Sequence, residues 1–213
     1  MTPPGPVARA VDFASLAHVG PLTGDEIDRA VDACTRDEDP RVRAAALGAL
    51  VRGASNSQAH AAWDSAILDR APAVRRRAAE LAPNVGAEPE RVAALIRTLD
   101  DDDVTVVEAA AWALGELGDS VAEHPGAVAK IANVATDHTD PLAREAAVAA
   151  LGALGNRDGL AAILQATRDK PAVRRRAVLA LAPFDGPDVD AALAVALDDK
   201  DWQVRQAAED LGD

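Results

Sequence analysis

The chain has 213 residues, a formal net charge of −13 and 49% apolar residues, so it can bury a sizeable core and is not disordered by composition. Aromatics are only 2%, with no tyrosine, which excludes a thick sandwich or barrel core and suits thin layers of closely packed, alanine-rich helices. The acid excess argues against nucleic-acid binding, whose phosphate term needs positive charge, and the lone cysteine, Cys34, excludes an internal disulfide or a cysteine-based zinc site.

In chain order, Met1 to Pro6 lacks the charged and apolar regions of a secretory signal, and no later apolar run approaches the ~20 residues of a membrane span, so a cytoplasmic protein off the membrane is expected. Residues 1–22 read as a cap segment with one short helix through Val11, Phe13 and Leu16, its apolar face covering the first repeat. Residues 23–213 read as a single repeat domain. Thr23-Gly24-Asp25-Glu26 is a capping box that opens a helix through Ile27 and Val31. Asp39-Pro40 and Asp140-Pro141 place a side-chain acceptor at N-cap and proline at N1 of later helices. Pro72 and Pro171 hold the same slot, and Trp202 replaces proline there in the last repeat. Helix stops are expected at Gly53, Pro83, Gly118, Gly155 and around Gly186.

Self-similarity organises these elements. Pro72 to Ala78 and Pro171 to Ala177 are the same seven-residue string, and the Val of Val-Arg gives the anchors Val42, Val74, Val106, Ala143, Val173 and Val204, spaced by 32, 32, 37, 30 and 31 residues. The long interval is explained by the loop Gly118 to Gly126. From each anchor, small or apolar residues recur at +4 and at +7 or +8, as in Ala46, Ala49 and Leu50, which is one stripe of a helix. A second amphipathic stretch precedes each, such as Val92 to Ile96 or Leu160 to Leu164. The unit is helix, turn, helix.

The pattern Asp-Pro-x-Val-Arg-x-x-Ala-x-x-Ala-Leu-Gly, carried by Asp39 to Leu50 and Asp140 to Gly152, resembles the HEAT repeat, and more narrowly the short HEAT-like subgroup first associated with phycobilisome lyases. The resemblance implies an all-α, right-handed α-solenoid (an α-α superhelix) of about six HEAT-like helix pairs, with first helices convex and second helices concave. It also implies that Arg43, Arg75, Arg144, Arg174 and Arg205 reach turn aspartates such as Asp39, Asp140 and Asp201. Val107 stands where the other units carry arginine, so that ladder should break at the third repeat.

Little chemistry is visible. The resemblance raises the deoxyhypusine hydroxylases, which bind iron through His-Glu dipeptides, yet His18, His60, His124 and His138 are followed by Val19, Ala61, Pro125 and Thr139. Cys34 lies on an apolar stripe and reads as an inert thiol. No nucleophile elbow or phosphate-binding glycine loop occurs, so no catalytic residue, metal or cofactor is expected. The aspartate clusters at Asp37–Asp39, Asp100–Asp103 and Asp198–Asp201 read first as capped, solvated turns, and otherwise as an acidic ridge docking a basic partner or as a weak calcium site at the four-aspartate turn, for which no EF-hand spacing is present. Trp63 reads as core filler and Trp202 as a shield over the last repeat.

Positions +2, +5, +6 and +9 of the second helices should face away from the anchors. They hold Leu47, Arg76, Glu80, Glu108, Trp112, Glu145, Val148, Arg175, Val178 and Leu179, where a merely solvated face would carry no tryptophan or valine. The expected site is therefore a concave surface around Trp112, Glu108, Glu145 and Leu179, with Arg76 and Arg175 reading carboxylates of a protein or peptide partner. A monomeric, non-catalytic scaffold or adaptor is the reading. The alternative is an enzyme or accessory subunit similar to the HEAT-like phycobilin lyases or the deoxyhypusine hydroxylases. The many aspartates beside only Lys130, Lys170 and Lys200 fit either a high-salt surface or a GC-rich genome.

Overall fold

Thr23 caps a helix as its sequence predicts. Its hydroxyl accepts from the Glu26 N–H at 3.4 Å, and the Glu26 carboxylate accepts from the Thr23 N–H at 2.8 Å. The computed structural model describes residues 4–16 and 20–212, and among them every regular element is helical. They group into two compact units, Met1–Ala87 and Glu88–Asp213.

The first unit holds α1 (Pro6–Leu16) and the pairs α2 (Gly24–Arg36) with α3 (Pro40–Gly53) and α4 (Asn56–Ala66) with α5 (Pro72–Val85). Here α3 packs against α1, α2, α4 and α5. Helix α1 buries Phe13 and sends Arg9 to Asp37, and Val11, expected on its apolar face, points to solvent. The second unit holds α6 (Pro89–Thr98) with α7 (Val104–Glu116), the single turn α8 (Asp119–Ala122) in the long loop, and α9 (Ala127–Asp137) with α10 (Pro141–Leu154). It continues with α11 (Leu160–Ala166) paired to α12 (Pro171–Ala180) and α13 (Pro187–Leu197) paired to α14 (Trp202–Gly212). Second helices stack on one another, α7 on α10, α10 on α12 and α12 on α14. This is the all-α, α-solenoid fold class.

The repeat arithmetic holds in the core. All six anchors are buried, as are the +4 alanines from Ala46 to Ala208. Trp63 is fully enclosed and its indole N–H donates to the Ala78 carbonyl at 2.6 Å. Asp39 and Asp140 cap their helices by accepting from the Arg41 and Leu142 N–H groups, and Asp103 and Asp201 do the same. Two stops fall elsewhere. Pro83 lies inside α5, which runs two residues further to Val85. The helix preceding Gly186 ends six residues early at Ala180, so Gly186 instead precedes α13.

Leu47, Val148 and Val178 were expected on the open face and are buried instead. The reason is the stacking of second helices. Each is at +5, and the +5 side meets the neighbouring second helix, so the buried stripe is wider than one row. Ala111 at the same position is buried too.

The arginine ladder exists with different rungs. Arg43 Nε and Nη2 donate to the Asp69 carboxylate at 2.7 and 2.8 Å, Arg144 to Asp169 at 2.6 and 2.8 Å, and Arg174 to Asp199 at 2.8 and 2.7 Å. Each acceptor belongs to the turn of the following repeat. Asp39, Asp140 and Asp201 are not reached because their oxygens are occupied as N-caps; the rung aspartate lies further upstream in the turn. The remaining nitrogen, Nη1, ties each arginine to its own turn, as in Arg144 to the His138 carbonyl at 2.7 Å. Val107 is fully buried, and no arginine rung starts there.

Candidate partner-binding grooves

Helices α7 and α10 approach closely because glycine and alanine line their contact. A Cβ built on Gly115 would lie 3.1 Å from the Ala150 Cα, and one on Gly152 would lie 2.7 Å from the Ala180 Cα of α12. Larger residues would wedge these helices apart. Above that contact, on the same unit, lies an open groove of about 430 Å³. Its floor is alanine, Ala146, Ala149 and Ala153, and its walls are Trp112 from α7 and Leu142 from α10. Trp112 is 48% exposed and Leu142 52% exposed, large apolar side chains left uncovered beside a cavity.

The rim is acidic. Glu108, Glu116 and Glu145 line the groove, and the one cation, Arg176, leans on Glu145 at 3.4 Å. Glu116 is exposed and makes no ion pair among the described residues. The expected residues Trp112, Glu108 and Glu145 are thus brought together. Leu142, Glu116 and Arg176 complete the site. The signal for Leu142 was its −1 position, one turn before Glu145 and Ala146 on the same stripe, which the +2 to +9 count skipped.

Arg175 and Leu179 line a second, smaller groove of about 200 Å³ between α12 and α14, with Trp202, Gln206 and Asp210. Trp202 is 64% exposed, so it leaves most of its ring in water instead of shielding the last repeat. Arg76 belongs to the other compact unit, where it leans on Glu80 at 3.5 Å.

Other candidates are explained structurally. Cys34 is buried, and its thiol is pushed up to about 11 by burial and then by the nearby Asp69 charge, so it is not a nucleophile near neutral pH. The aspartate clusters are largely engaged: Asp37 with Arg9, Asp39 as a cap, Asp199 with Arg174. The Arg174 hydrogen bonds hold Asp199 below the usual carboxylate range despite partial burial. No group of three or more metal-ligating side chains occurs among the described residues, and no helix is long and apolar enough to cross a membrane.

A family model of HEAT repeats matches residues 61–127 and 128–211, and the chain belongs to the HEAT-repeat family. A sequence search of curated proteins gives no match. Among solved structures, the chain is similar to YibA of Escherichia coli, with 18% identity, a TM-score of 0.63 and coverage of 98% of this chain and 74% of that one. It is also similar to the complex of CpcE and CpcF of phycocyanin lyase from Nostoc sp. PCC7120, at 24% identity, TM-score 0.58, and 89% and 76% coverage. A third is the structure of Kap95p with RanGDP, at 14% identity and TM-score 0.65, where 95% of this chain covers 33% of that one. At these identities the likeness is one of fold.

Proposed function

We propose that this chain is a non-catalytic protein-binding module, working as a cytoplasmic monomer, whose groove between α7 and α10 takes a large apolar side chain from a segment rich in lysine or arginine. The observation that carries the reading is the pairing of Trp112 and Leu142, both about half exposed, across an alanine-floored groove with an acidic rim. Tryptophan at the centre of such a cavity is the composition of an interaction hot spot. The glutamates select the charge of the flanking residues, and the overall charge of −13 steers a cationic segment toward the protein. The lining residues contain no nucleophile with an adjacent base, which favours binding over catalysis.

Selection from a random peptide library against the wild-type protein tests this reading. Enriched peptides should combine an aromatic or aliphatic residue with neighbouring basic residues, and should weaken about ten-fold or more on a folded Trp112→Ala protein. Enrichment of peptides that bind both proteins equally would overturn it. A lyase-like role is separated by absorbance, since purified protein carrying a bound chromophore would absorb in the visible.

A further inference from the structure

The two grooves of the second unit are the same groove repeated. Counted from the anchors, the first is walled by positions +2 and +6 of α7, Glu108 and Trp112, facing positions −1 and +2 of α10, Leu142 and Glu145. The second is walled by +2 and +6 of α12, Arg175 and Leu179, facing −1 and +2 of α14, Gln203 and Gln206. Helices that stack in register present equal positions to the same side, so both grooves open on one surface. Their chemistry differs. The three glutamates of the first rim give way, in the second, to an arginine flanked by amides and by one carboxylate, Asp210, which accepts from the Gln206 amide at 2.8 Å.

Arg175 is the free member of its triplet. Arg174 is committed to Asp199, and Arg176 leans on Glu145. Arg175 is exposed and makes no ion pair among the described residues. Beside it, Trp202 occupies the N1 slot where Pro40, Pro72, Pro141 and Pro171 start four other second helices and Val104 a fifth, so helix initiation does not require an indole there. An uncommitted guanidinium next to an exposed ring suits a carboxylate adjoining an apolar side chain.

We infer that the second unit reads a bipolar segment: one extended stretch of a partner protein whose basic, apolar end fills the Trp112 groove and whose acidic, apolar end pairs with Arg175 over Trp202. This rests on the function proposed for the Trp112 groove and adds a second subsite and a direction. The grooves are two helix spacings apart, roughly 16–20 Å at interaxial distances of about 8–10 Å. At about 3.3 Å per residue, that places the two ends some five or six residues apart in an extended chain.

The test uses three synthetic peptides on the full chain at about 0.15 M salt, where long-range charge attraction is screened. One carries a lysine-flanked leucine, one a phenylalanine next to a glutamate, and the third joins both with a five-residue spacing. The joined peptide should bind at least ten-fold tighter than the basic one. That gain should vanish in Arg175→Glu and survive in Arg168→Glu, a control with the same charge change at another exposed site. No gain, or a gain that survives Arg175→Glu, overturns the bipolar reading and leaves the Trp112 groove standing. Should the basic peptide show no binding, the Trp112 proposal fails, and the acidic peptide alone then decides: Arg175-dependent binding supports the second subsite, and its absence overturns it.

Discussion

Arg43 and Asp69 face each other fork to fork, 26 residues apart in sequence, with side chains only 4% and 13% exposed. Their two parallel hydrogen bonds join one repeat's second helix to the turn of the next repeat, where Asp69 also accepts from the Ala71 N–H at 2.8 Å. One carboxylate therefore serves both the turn geometry and the stacking of repeats. Removing it strands a buried guanidinium. Asp69→Ala is expected to destabilise the protein by about 3–5 kcal/mol in urea unfolding, and Arg41→Ala, at an exposed pair, by less than about 1 kcal/mol.

The rungs also predict acid sensitivity. Burial alone would raise Asp69, but the Arg43 and Ala71 hydrogen bonds outweigh it, and the Arg144 and Arg174 hydrogen bonds hold Asp169 and Asp199 below the ordinary carboxylate value. Lowered groups give stability that is present above the unfolded value, about 3.9, and lost as pH falls through the folded one. Melting temperature should thus fall as pH drops below about 4, and Asp199→Asn should make that fall shallower.

Where the ladder lacks its arginine, the chain also lacks the aspartate. The turn before α10 carries His138 in the rung position, and its Nδ1 accepts from the Asp140 N–H at 3.1 Å, as Asp37, Asp101 and Asp199 accept in their own turns. Val107 and His138 therefore read as a paired replacement of arginine and aspartate. Val107→Arg alone should cost about 3 kcal/mol or more, since it buries an unpaired charge. Adding His138→Asp should recover about 1–3 kcal/mol of that in a double-mutant cycle. Strict additivity would contradict the pairing.

The glycine contacts give a steric prediction. Gly152→Ala drives a methyl to 2.7 Å from the Ala180 backbone and should lower stability by about 1–3 kcal/mol. Gly24→Ala, at the start of α2, meets nothing within 4 Å and should be neutral or mildly stabilising in the same melting assay.

What was legible in the sequence is what a single repeat determines. Val42 and Ala46 are buried because their spacing places them on one helical stripe, and Asp39 caps its own helix because its reach is local. What was not legible depends on the neighbouring repeat. The partner of Arg43 sits in another repeat's turn, so the count from its own turn pointed to Asp39. Leu47 faces the next second helix, which a one-helix wheel does not contain. Trp112 and Glu145 are brought together by the close approach at Gly115, whereas Arg76, at an equal repeat position, belongs to the other compact unit.

The most direct measurement is a titration of uniformly ¹⁵N-labelled protein with the lysine-flanked leucine peptide, followed through the three tryptophan indole N–H resonances. The account predicts that the Trp112 indole and the Ala149 and Ala153 amides shift together and saturably, while the enclosed Trp63 indole stays in place. A peptide that binds while leaving Trp112 unmoved, or one that does not bind at all, would contradict it.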